Sequence, residues 1–363
     1  MIDIQTSNIT FLEMAAKLKE YGIKNNKFML ELKNEELVGV NPHSTELTAA
    51  QKAAIYVECQ QNYWYFLREV VRIPEQGGGA IQFRLNLGNM AMSYCFLHNI
   101  NSITLLPRQQ GKTIAKCTHT VWVTYFGSKN SQETYLHKAA TGSVDNLKRV
   151  KSIRDLLPPW LLELITSAND KDNLESKTCE KRNNTIVAMS SATTDEAADK
   201  LGRGSSTSLV FADEYAFMSR NTIIMNVLVP AWTTAAMNSK RNLSPYGIHI
   251  CTTPNNLQIP AAQDCYARLQ DACKFTFSMY DIPIIDLENY VHENSGNDFV
   301  HIEYSYEELG LTKEWYDGQL RKMNNDILNA KRELLLVWPN SSDDSVFSEE
   351  QLDMVQRYIK HTL

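Results

Sequence analysis

The chain has 363 residues, of which 43% are hydrophobic and 21% charged, ordinary values for a folded globular protein. This length exceeds that of an average domain, so we expect one large core with an added subdomain. The formal net charge of −6 does not favour a permanent clamp on nucleic acid, which usually carries a basic surface. This net charge does not exclude a protein that grips DNA transiently or one that docks on another protein.

The seven cysteines show no pattern of metal ligands or disulfides, because they are scattered and no two are spaced as Cys-x-x-Cys. We therefore expect reduced, mostly buried thiols. Charged residues interrupt the apolar pattern at the N-terminus, and no run approaches about 18 apolar residues. Neither a signal peptide nor a membrane span is expected.

Residues 1–80 are predicted to form a helical subdomain. Thr48 is placed to begin a helix that continues to about Val71. The aromatic run within residues 62–66 could stack on nucleic-acid bases, but its apolar partners at i+4 favour core packing. One proline and three glycines in residues 73–80 mark the end of this region.

A candidate phosphate-binding loop, LLPRQQGKT, occupies residues 105–113. A helix of about residues 84–98 is predicted before it, then an apolar strand of residues 102–106, and a helix of residues 111–126 after it. Strand, turn and helix follow in the order that builds such a loop. Leu106 stands where the usual pattern GxxxxGK[ST] has its first glycine, so the curvature of the loop must come from other residues.

The end of this loop keeps the groups that contact a triphosphate. Backbone amides at a helix N-terminus bind phosphate, and we expect Gln109, Gln110 and Gly111 to contribute them. Lys112 is predicted to clamp the β- and γ-phosphates, and Thr113 to offer its hydroxyl to Mg²⁺. ATP and Mg²⁺ are the predicted cofactors.

Two adjacent carboxylates, Asp213 and Glu214, end a buried apolar run within residues 209–217. Burying such a pair is unfavourable without a counter-ion or a role. Asp213 is predicted to hold Mg²⁺ and Glu214 to polarise the attacking water, as a nucleotide hydrolase requires. The structural alternative is an acidic pair at a helix N-terminus. The two motifs, each behind its own strand, predict ATP hydrolysis.

Strands and helices alternate after the loop, which is typical of an α/β fold with a parallel-core sheet flanked by helices. The predicted strands are residues 133–136, 185–190, 208–213 and 247–253, with an edge strand at residues 273–279. The predicted helices are residues 143–156, about 220–237, and stretches within 312–335.

Together these stretches resemble the large terminase subunit of tailed bacteriophages, the ATPase that pumps DNA into a preformed capsid. The resemblance covers about residues 60–345 and is closest to phages with contractile tails. It rests on four motifs: the loop at residues 105–113, ADEYAF at 212–217, LGRG at 201–204 and CTTPNN at 251–256.

The resemblance implies a domain organisation and a set of partners. We expect a P-loop NTPase core of the ASCE, RecA-like class at residues 81–290, between the smaller, mostly helical subdomain at 1–80 and a C-terminal lid segment with the start of a linker at 291–363. The expected partners are double-stranded DNA, the portal protein of the procapsid and the small terminase subunit. A monomer is expected when free, and a homo-oligomeric ring when docked at the portal vertex in the host cytoplasm. The nuclease domain of the family is expected to be absent, so the expected activity is ATP hydrolysis without DNA cleavage.

The resemblance also implies roles for two arginines. Arg108 lies four residues before Lys112, where the family has an arginine that senses the γ-phosphate within the subunit. Arg203 lies eleven residues before Glu214, where the family has an arginine that reaches the neighbouring subunit. An exposed loop arginine is the alternative in both cases.

Two further roles concern coupling and the adenine ring. Thr252, Thr253 and Asn255 match the coupling motif that passes the hydrolysis state to the DNA-gripping surface, although such residues can equally cap the next helix. Gln82 is the candidate for adenine recognition, because its amide can satisfy both N6 and N7 of the ring. Its interval to the loop is longer than in some relatives.

Two other functions remain open. A helicase or remodelling ATPase would act on DNA outside packaging, but such enzymes usually have a second RecA-like domain in the chain, and only one is predicted here. An ATP-gated protein that docks on a portal would mainly bind, with incidental hydrolysis.

Overall fold

The computed structural model describes residues 1–75, 77–192, 194–202 and 207–340. The helices in these ranges are α1 (Ile9–Glu20), α2 (Ala49–Gln61), α3 (Tyr63–Tyr65), α4 (Leu87–Leu97), α5 (Lys112–Trp122), α6 (Ala140–Asp155), α7 (Pro159–Ile165), α8 (Asp195–Gly202), α9 (Asn221–Arg241), α10 (Pro260–Asp271), α11 (Ile284–Glu293), α12 (Lys313–Lys322) and α13 (Ile327–Leu334). The strands are β1 (Arg72–Pro74), β2 (Ala80–Gln82), β3 (Asn101–Leu105), β4 (Gln132–His137), β5 (Ser176–Cys179), β6 (Asn184–Ser190), β7 (Leu209–Asp213), β8 (Gly247–Thr252), β9 (Cys273–Lys274) and β10 (Phe299–Glu303).

Eight of the described strands form one sheet in the order β5-β6-β4-β7-β8-β3-β10-β9. Neighbouring strands are parallel except for β5 and β6, which are antiparallel. Strands β7 and β8 are buried along their whole length, and β3 nearly so, as expected of parallel strands covered on both faces of a sheet. The predicted α/β class with a parallel-core sheet is confirmed.

Alternate residues of the central strands pack into two hydrophobic cores, one on each face of the sheet. In β7, Leu209 and Phe211 belong to one core, whereas Val210 and Ala212 belong to the other. Apolar residues of the N-terminal helices, α4, α5 and α6 cover the first face, and those of α9 and α10 cover the second.

The seven cysteines are all buried and free, as predicted. Among the described helices, none combines the length and apolar character of a membrane span.

Strand β8 lies between β3 and β7, and this order positions the two predicted motifs. Leu105 at the end of β3 pairs with Thr252, and Asp213 at the end of β7 pairs with Cys251. The carboxyl ends of these three strands therefore meet at the same edge of the sheet. The loop after β3 and the acids after β7 face each other across the end of β8.

The predicted long helix that starts at Thr48 is broken at Asn62. Thr48 caps α2 with a capping box, as predicted. The backbone of Asn62 is extended, and its side chain accepts a hydrogen bond from the amide of Tyr65, so a new short helix begins there. The chain continues as a π-helical turn at Phe66–Val70. The aromatic side chains of residues 63–66 are buried, which confirms core packing.

The C-terminal third differs most from the prediction. The edge strand expected at residues 273–279 has only two residues, because the chain turns into a 3-10 helix at Phe277–Asp281. Strand β10 was not predicted, although it pairs with β3 on one side and with the edge strand β9 on the other. Its sequence includes His301 and Glu303, whose side chains pair at 2.9 Å, and these polar residues hide the apolar pattern of a buried strand. The elements β1, β2, β5, α7, α8, α10 and α11 were also not predicted.

A buried ion cluster joins the first residues of the chain to the helical region. Arg68 has no exposed surface, and its guanidinium lies 2.7 Å from Glu69 and 3.5 Å from Asp3. It also donates a hydrogen bond to the carbonyl of Met29. The two carboxylates would lose their shared counter-charge if the guanidinium were removed.

We expect Arg68→Met to lower the free energy of unfolding by about 3–5 kcal/mol, because it leaves buried carboxylates unpaired. Urea denaturation measures this difference. The matched control is Arg84→Met at an exposed arginine, for which a change within about 0.5 kcal/mol is expected. Equal losses in the two variants would show that the cluster does not stabilise the fold.

Candidate nucleotide-binding site

A cavity of about 610 Å³ opens at the carboxyl edge of the sheet. This volume is within the usual range for small-molecule sites. The cavity is lined by residues of the loop after β3, of the first turn of α5, of α6 and of the ends of β4, β7 and β8: Arg108, Gln109, Gln110, Gly111, Lys112, Thr113, Ile114, His137, Gly142, Asp145, Asn146, Arg149, Asp213, Glu214, Thr252 and Thr253. The two motifs predicted to bind and hydrolyse a nucleotide therefore share one cavity.

The loop bends without the glycine of the usual pattern. Gln109 and Gly111 both have positive φ, of 63° and 84°, and they supply the curvature. Leu106, at the position of the missing glycine, is fully buried. It packs so closely on α4 that a Cβ atom at Gly88 would lie 2.5 Å from its Cδ1. Leu106 thus anchors the loop to α4, and Gly88 makes the close approach possible.

The ammonium of Lys112 is turned into the loop. It donates hydrogen bonds to the carbonyl of Leu106 and, at 3.3 Å, to that of Pro107. Burial lowers the pKa of Lys112 to about 8. The two carbonyl oxygens therefore hold the ammonium inside the loop.

Thr113 and Asp213 meet at the base of the cavity. The Thr113 hydroxyl donates to Oδ2 of Asp213 at 3.2 Å, and Oδ1 of Asp213 lies 2.9 Å from Nζ of Lys116. Burial alone would raise the pKa of Asp213, but the Lys116 ammonium holds it below its ordinary value. A hydroxyl and an ionised carboxylate are hard oxygen donors, and Mg²⁺ commonly binds one or two carboxylates together with substrate phosphates and water. The donor set therefore fits Mg²⁺.

Glu214 is presented by a sharp turn immediately after β7. Its φ of 55° is in the left-handed region, an unfavourable conformation for a residue with a side chain. Its carboxylate lies 2.6 Å from Nζ of Lys138 and 3.5 Å from Nε2 of His137 at the end of β4. The His137 ring packs against the first turn of α6, where a Cβ atom at Gly142 would collide with it. The Glu214 side chain is one-third exposed, although its Oε2, which faces Lys138 and His137, is buried.

Arg108 connects the loop to the C-terminal segment. Its Nε lies 3.0 Å from Oε2 of Glu333 on α13, and its backbone amide donates to the Glu333 carbonyl at 3.1 Å. The Arg108 side chain is 61% exposed, whereas that of Glu333 is only 3% exposed. Arg332 lies 3.1 Å from the other oxygen of Glu333. Glu333 would therefore keep a counter-ion if Arg108 turned towards a phosphate.

The end of β8 is bonded to the turn that follows Glu214. The Thr252 hydroxyl accepts a hydrogen bond from the amide of Ala216 at 3.2 Å, and the Asn255 amide donates to the Ala216 carbonyl at 3.0 Å. Thr252 and Thr253 line the cavity, whereas Asn255 is buried and is not part of its lining. None of the three caps the next helix, because α10 has Ile259 at its N-cap and no side-chain capping bond.

Two predicted site residues are not brought to this cavity. Gln82 lies on β2, where its amide donates to the Ser7 hydroxyl at 2.8 Å, and it is not part of the cavity lining. Adenine recognition by Gln82 therefore has no support from the geometry and stays a prediction. Arg203 lies outside the residues that the structure describes.

Several residues of the site were not predicted from the sequence. Asp145, Asn146 and Arg149 on α6 line the cavity, and Arg149 donates to the Asn146 side chain at 2.9 Å. A helix that follows a parallel strand begins at the edge that binds ligands, but its sequence alone does not reveal which face it turns to the site. Lys116 had a clearer signal, because residues four apart share one face of a helix and Lys112 precedes it by that interval.

Comparison with protein-family models and with curated proteins finds no match. Among solved structures, the ATPase domain of the Thermus phage P74-26 large terminase has 14% identity and a TM-score of 0.49, covering 70% of this chain and 94% of that one. The large terminase of a thermophilic bacteriophage, solved in complex with ADP, has 12% identity and a TM-score of 0.42, covering 70% and 54%.

The HK97 bacteriophage large terminase has 14% identity and a TM-score of 0.44, covering 73% of this chain and 52% of that one. The chain thus spans about half the length of the HK97 protein and of the ADP-bound terminase, and nearly all of the P74-26 domain. Large terminases of phages, with the P74-26 ATPase domain among them, are what this chain is similar to in structure.

Proposed function

We propose that the chain is a Mg²⁺-dependent ATPase. One observation carries the proposal: Lys112, Thr113, Asp213 and Glu214 line the same cavity, although the two motifs lie far apart in sequence. The Thr113 hydroxyl bonds directly to Asp213 at 3.2 Å, so the two halves of the site are in contact. A bound triphosphate would lie between an ammonium on one side and two carboxylates on the other.

The residues have separate roles in the proposed reaction. Lys112 and the amides of Gln109, Gln110 and Gly111 bind the phosphates. Thr113 and Asp213 would hold Mg²⁺, which supplies neutralisation of the phosphate charge when bound. Glu214 orients the attacking water and accepts its proton.

Turnover is tested by phosphate release from ATP with and without Mg²⁺. We expect hydrolysis only with the metal, and equal rates in excess chelator would contradict the proposal.

We further propose that this ATPase drives double-stranded DNA into a procapsid. The support is the resemblance of four motifs, in order and spacing, to the large terminase family. The portal protein, the small terminase subunit and a ring of copies of this chain are the partners in this proposal. In such a ring, Arg203 would reach the site of the neighbouring subunit, and Thr252, Thr253 and Asn255 would pass the hydrolysis state to the DNA.

The packaging proposal is tested by comparing ATP turnover of the dilute chain with turnover in the presence of portal-bearing procapsids and linear DNA. We expect faster turnover in the complete mixture, together with DNA that becomes resistant to added nuclease. Maximal turnover in isolation would contradict an assembled motor. Strand separation without procapsids would favour a helicase, and binding to portals without DNA uptake would favour a docking protein.

Arg108 is expected to act on the γ-phosphate after it leaves Glu333. Arg108→Ala should therefore lower kcat by about 10²–10³-fold, the usual effect of losing one transition-state donor, with a smaller change in ATP affinity. The matched variant is Glu333→Gln, which weakens the same ion pair but keeps the guanidinium, and we expect it to retain most of the turnover. Steady-state kinetics measure kcat for both variants, and nucleotide titration measures their affinity for ATP. Similar losses in both variants would show that Arg108 matters for its ion pair with α13.

A further inference from the structure

Lys116 is a buried cation that the proposed reaction does not use. It lies on α5, one helical turn after Lys112, and its side chain has no exposed surface. A buried ammonium is strongly unfavourable unless it is paired. Its ion-pair partner is Asp213, whose Oδ1 lies 2.9 Å away. Asp213 is also one of the two residues that fit Mg²⁺.

The two oxygens of the Asp213 carboxylate have different partners. Oδ1 faces the Lys116 ammonium, and Oδ2 accepts the hydrogen bond of the Thr113 hydroxyl at 3.2 Å. These contacts fix the plane of the carboxylate from both sides. Only the oxygen on the Thr113 side can turn to a cation without losing the ion pair.

We propose that Lys116 is a positioning residue that presents Asp213 to the metal through one oxygen and offsets its charge before nucleotide binds. This inference rests on the proposed function and deepens it. Because the Asp213 charge is already paired with Lys116, a divalent cation should bind this site weakly in the absence of nucleotide. The phosphates of the nucleotide add negative charge and should strengthen its binding. The cation and the triphosphate should therefore bind as one unit.

The one-oxygen arrangement also affects metal choice. Ca²⁺ takes six to eight oxygens and readily binds a carboxylate through both of them, whereas Mg²⁺ requires a compact octahedron and commonly keeps waters. An Asp213 whose second oxygen is occupied by Lys116 disfavours the calcium geometry. Removing the ammonium would make the second oxygen available.

The decisive measurement is the affinity of the nucleotide-free protein for Mn²⁺, followed by electron paramagnetic resonance of the free ion. In Lys116→Met, loss of a positive charge beside the metal site should tighten Mn²⁺ binding about tenfold or more. Binding of Ca²⁺, measured by displacement of Mn²⁺, should tighten by at least as much. The kcat for Mg²⁺-ATP should fall, because Asp213 is no longer held in one orientation. If Lys116 only supported the fold, Lys116→Met would weaken Mn²⁺ binding or leave it unchanged.

Two further variants complete the test. Lys116→Arg keeps the charge and should retain the weak metal binding of the parent. Lys116→Gln can still donate a hydrogen bond to Asp213 and replaces Lys116→Met if the latter does not fold; it should also bind Mn²⁺ more tightly. Unchanged or weaker Mn²⁺ binding in a folded, uncharged variant would overturn the inference. Failure of the proposed function is seen separately, as absence of ATP turnover by the parent chain, because the titration contains no nucleotide.

Discussion

Glu214→Gln is expected to lower kcat for ATP hydrolysis by about 10²–10⁴-fold, the usual contribution of a positioned general base. The amide has nearly the same shape as the carboxylate, but it cannot accept the proton of the attacking water. Because Glu214 stands one-third exposed at the edge of the cavity, we expect ATP affinity to stay within about twofold of the parent. Phosphate release and equilibrium binding of a fluorescent ATP analogue measure the two quantities.

The control for this variant is Glu163→Gln, which changes an exposed glutamate on α7. We expect it to hydrolyse ATP at the parent rate. The Glu214 assignment would be wrong if Glu214→Gln also retained the parent rate. A loss of binding equal to the loss of turnover would instead indicate that the ion pair with Lys138 supports the shape of the site.

Lys112→Met is expected to weaken ATP binding by about one to two orders of magnitude, the effect of losing charge-assisted hydrogen bonds to phosphate. Its kcat should fall by a further 10²–10³-fold or so, because the same ammonium stabilises charge that develops in the transition state. Within the described part of the chain, the hydrogen bonds of this ammonium go to the carbonyls of Leu106 and Pro107. Thermal stability should therefore change little, which separates loss of binding from loss of folding.

Lys19→Met, at an exposed lysine on α1, is the matched control, and both its binding and its turnover should equal those of the parent. The contrast with Glu214→Gln is informative as well. The lysine variant should lose binding and catalysis together, and the glutamate variant should lose catalysis alone. If Lys112→Met bound and hydrolysed ATP normally, the loop would not be the phosphate site.

Part of the site at the carboxyl ends of the strands could be predicted from the sequence. Gly111, Lys112 and Thr113 are contiguous, so their relation to one another is set by a single helix start. Asp213 and Glu214 follow an apolar run, and parallel strands bring such ends to one edge. Local pattern and sheet direction together were enough to predict that the loop and the acids share a site.

The interactions that tune this site could not be predicted in the same way. The partner of Lys116 lies on β7, and the partner of Arg108 lies on α13, far along the chain. These pairs depend on the order of strands in the sheet and on the packing of the C-terminal segment, neither of which has a short-range signal. Strand β10 was missed for a related reason, since its polar residues obscure the burial that its neighbours impose.

The sequence by itself determined the class of the fold, the ends of β3, β7 and β8 to within about one residue, and the identity of the groups proposed to bind a triphosphate, because these follow from apolar periodicity and from short motifs. The tertiary structure alone decided which side chains neutralise each other, that α6 lines the cavity, and that Gln82 lies away from it. Charge pairing and cavity shape depend on distances between residues remote in sequence. Those distances are set only when both faces of the sheet are packed.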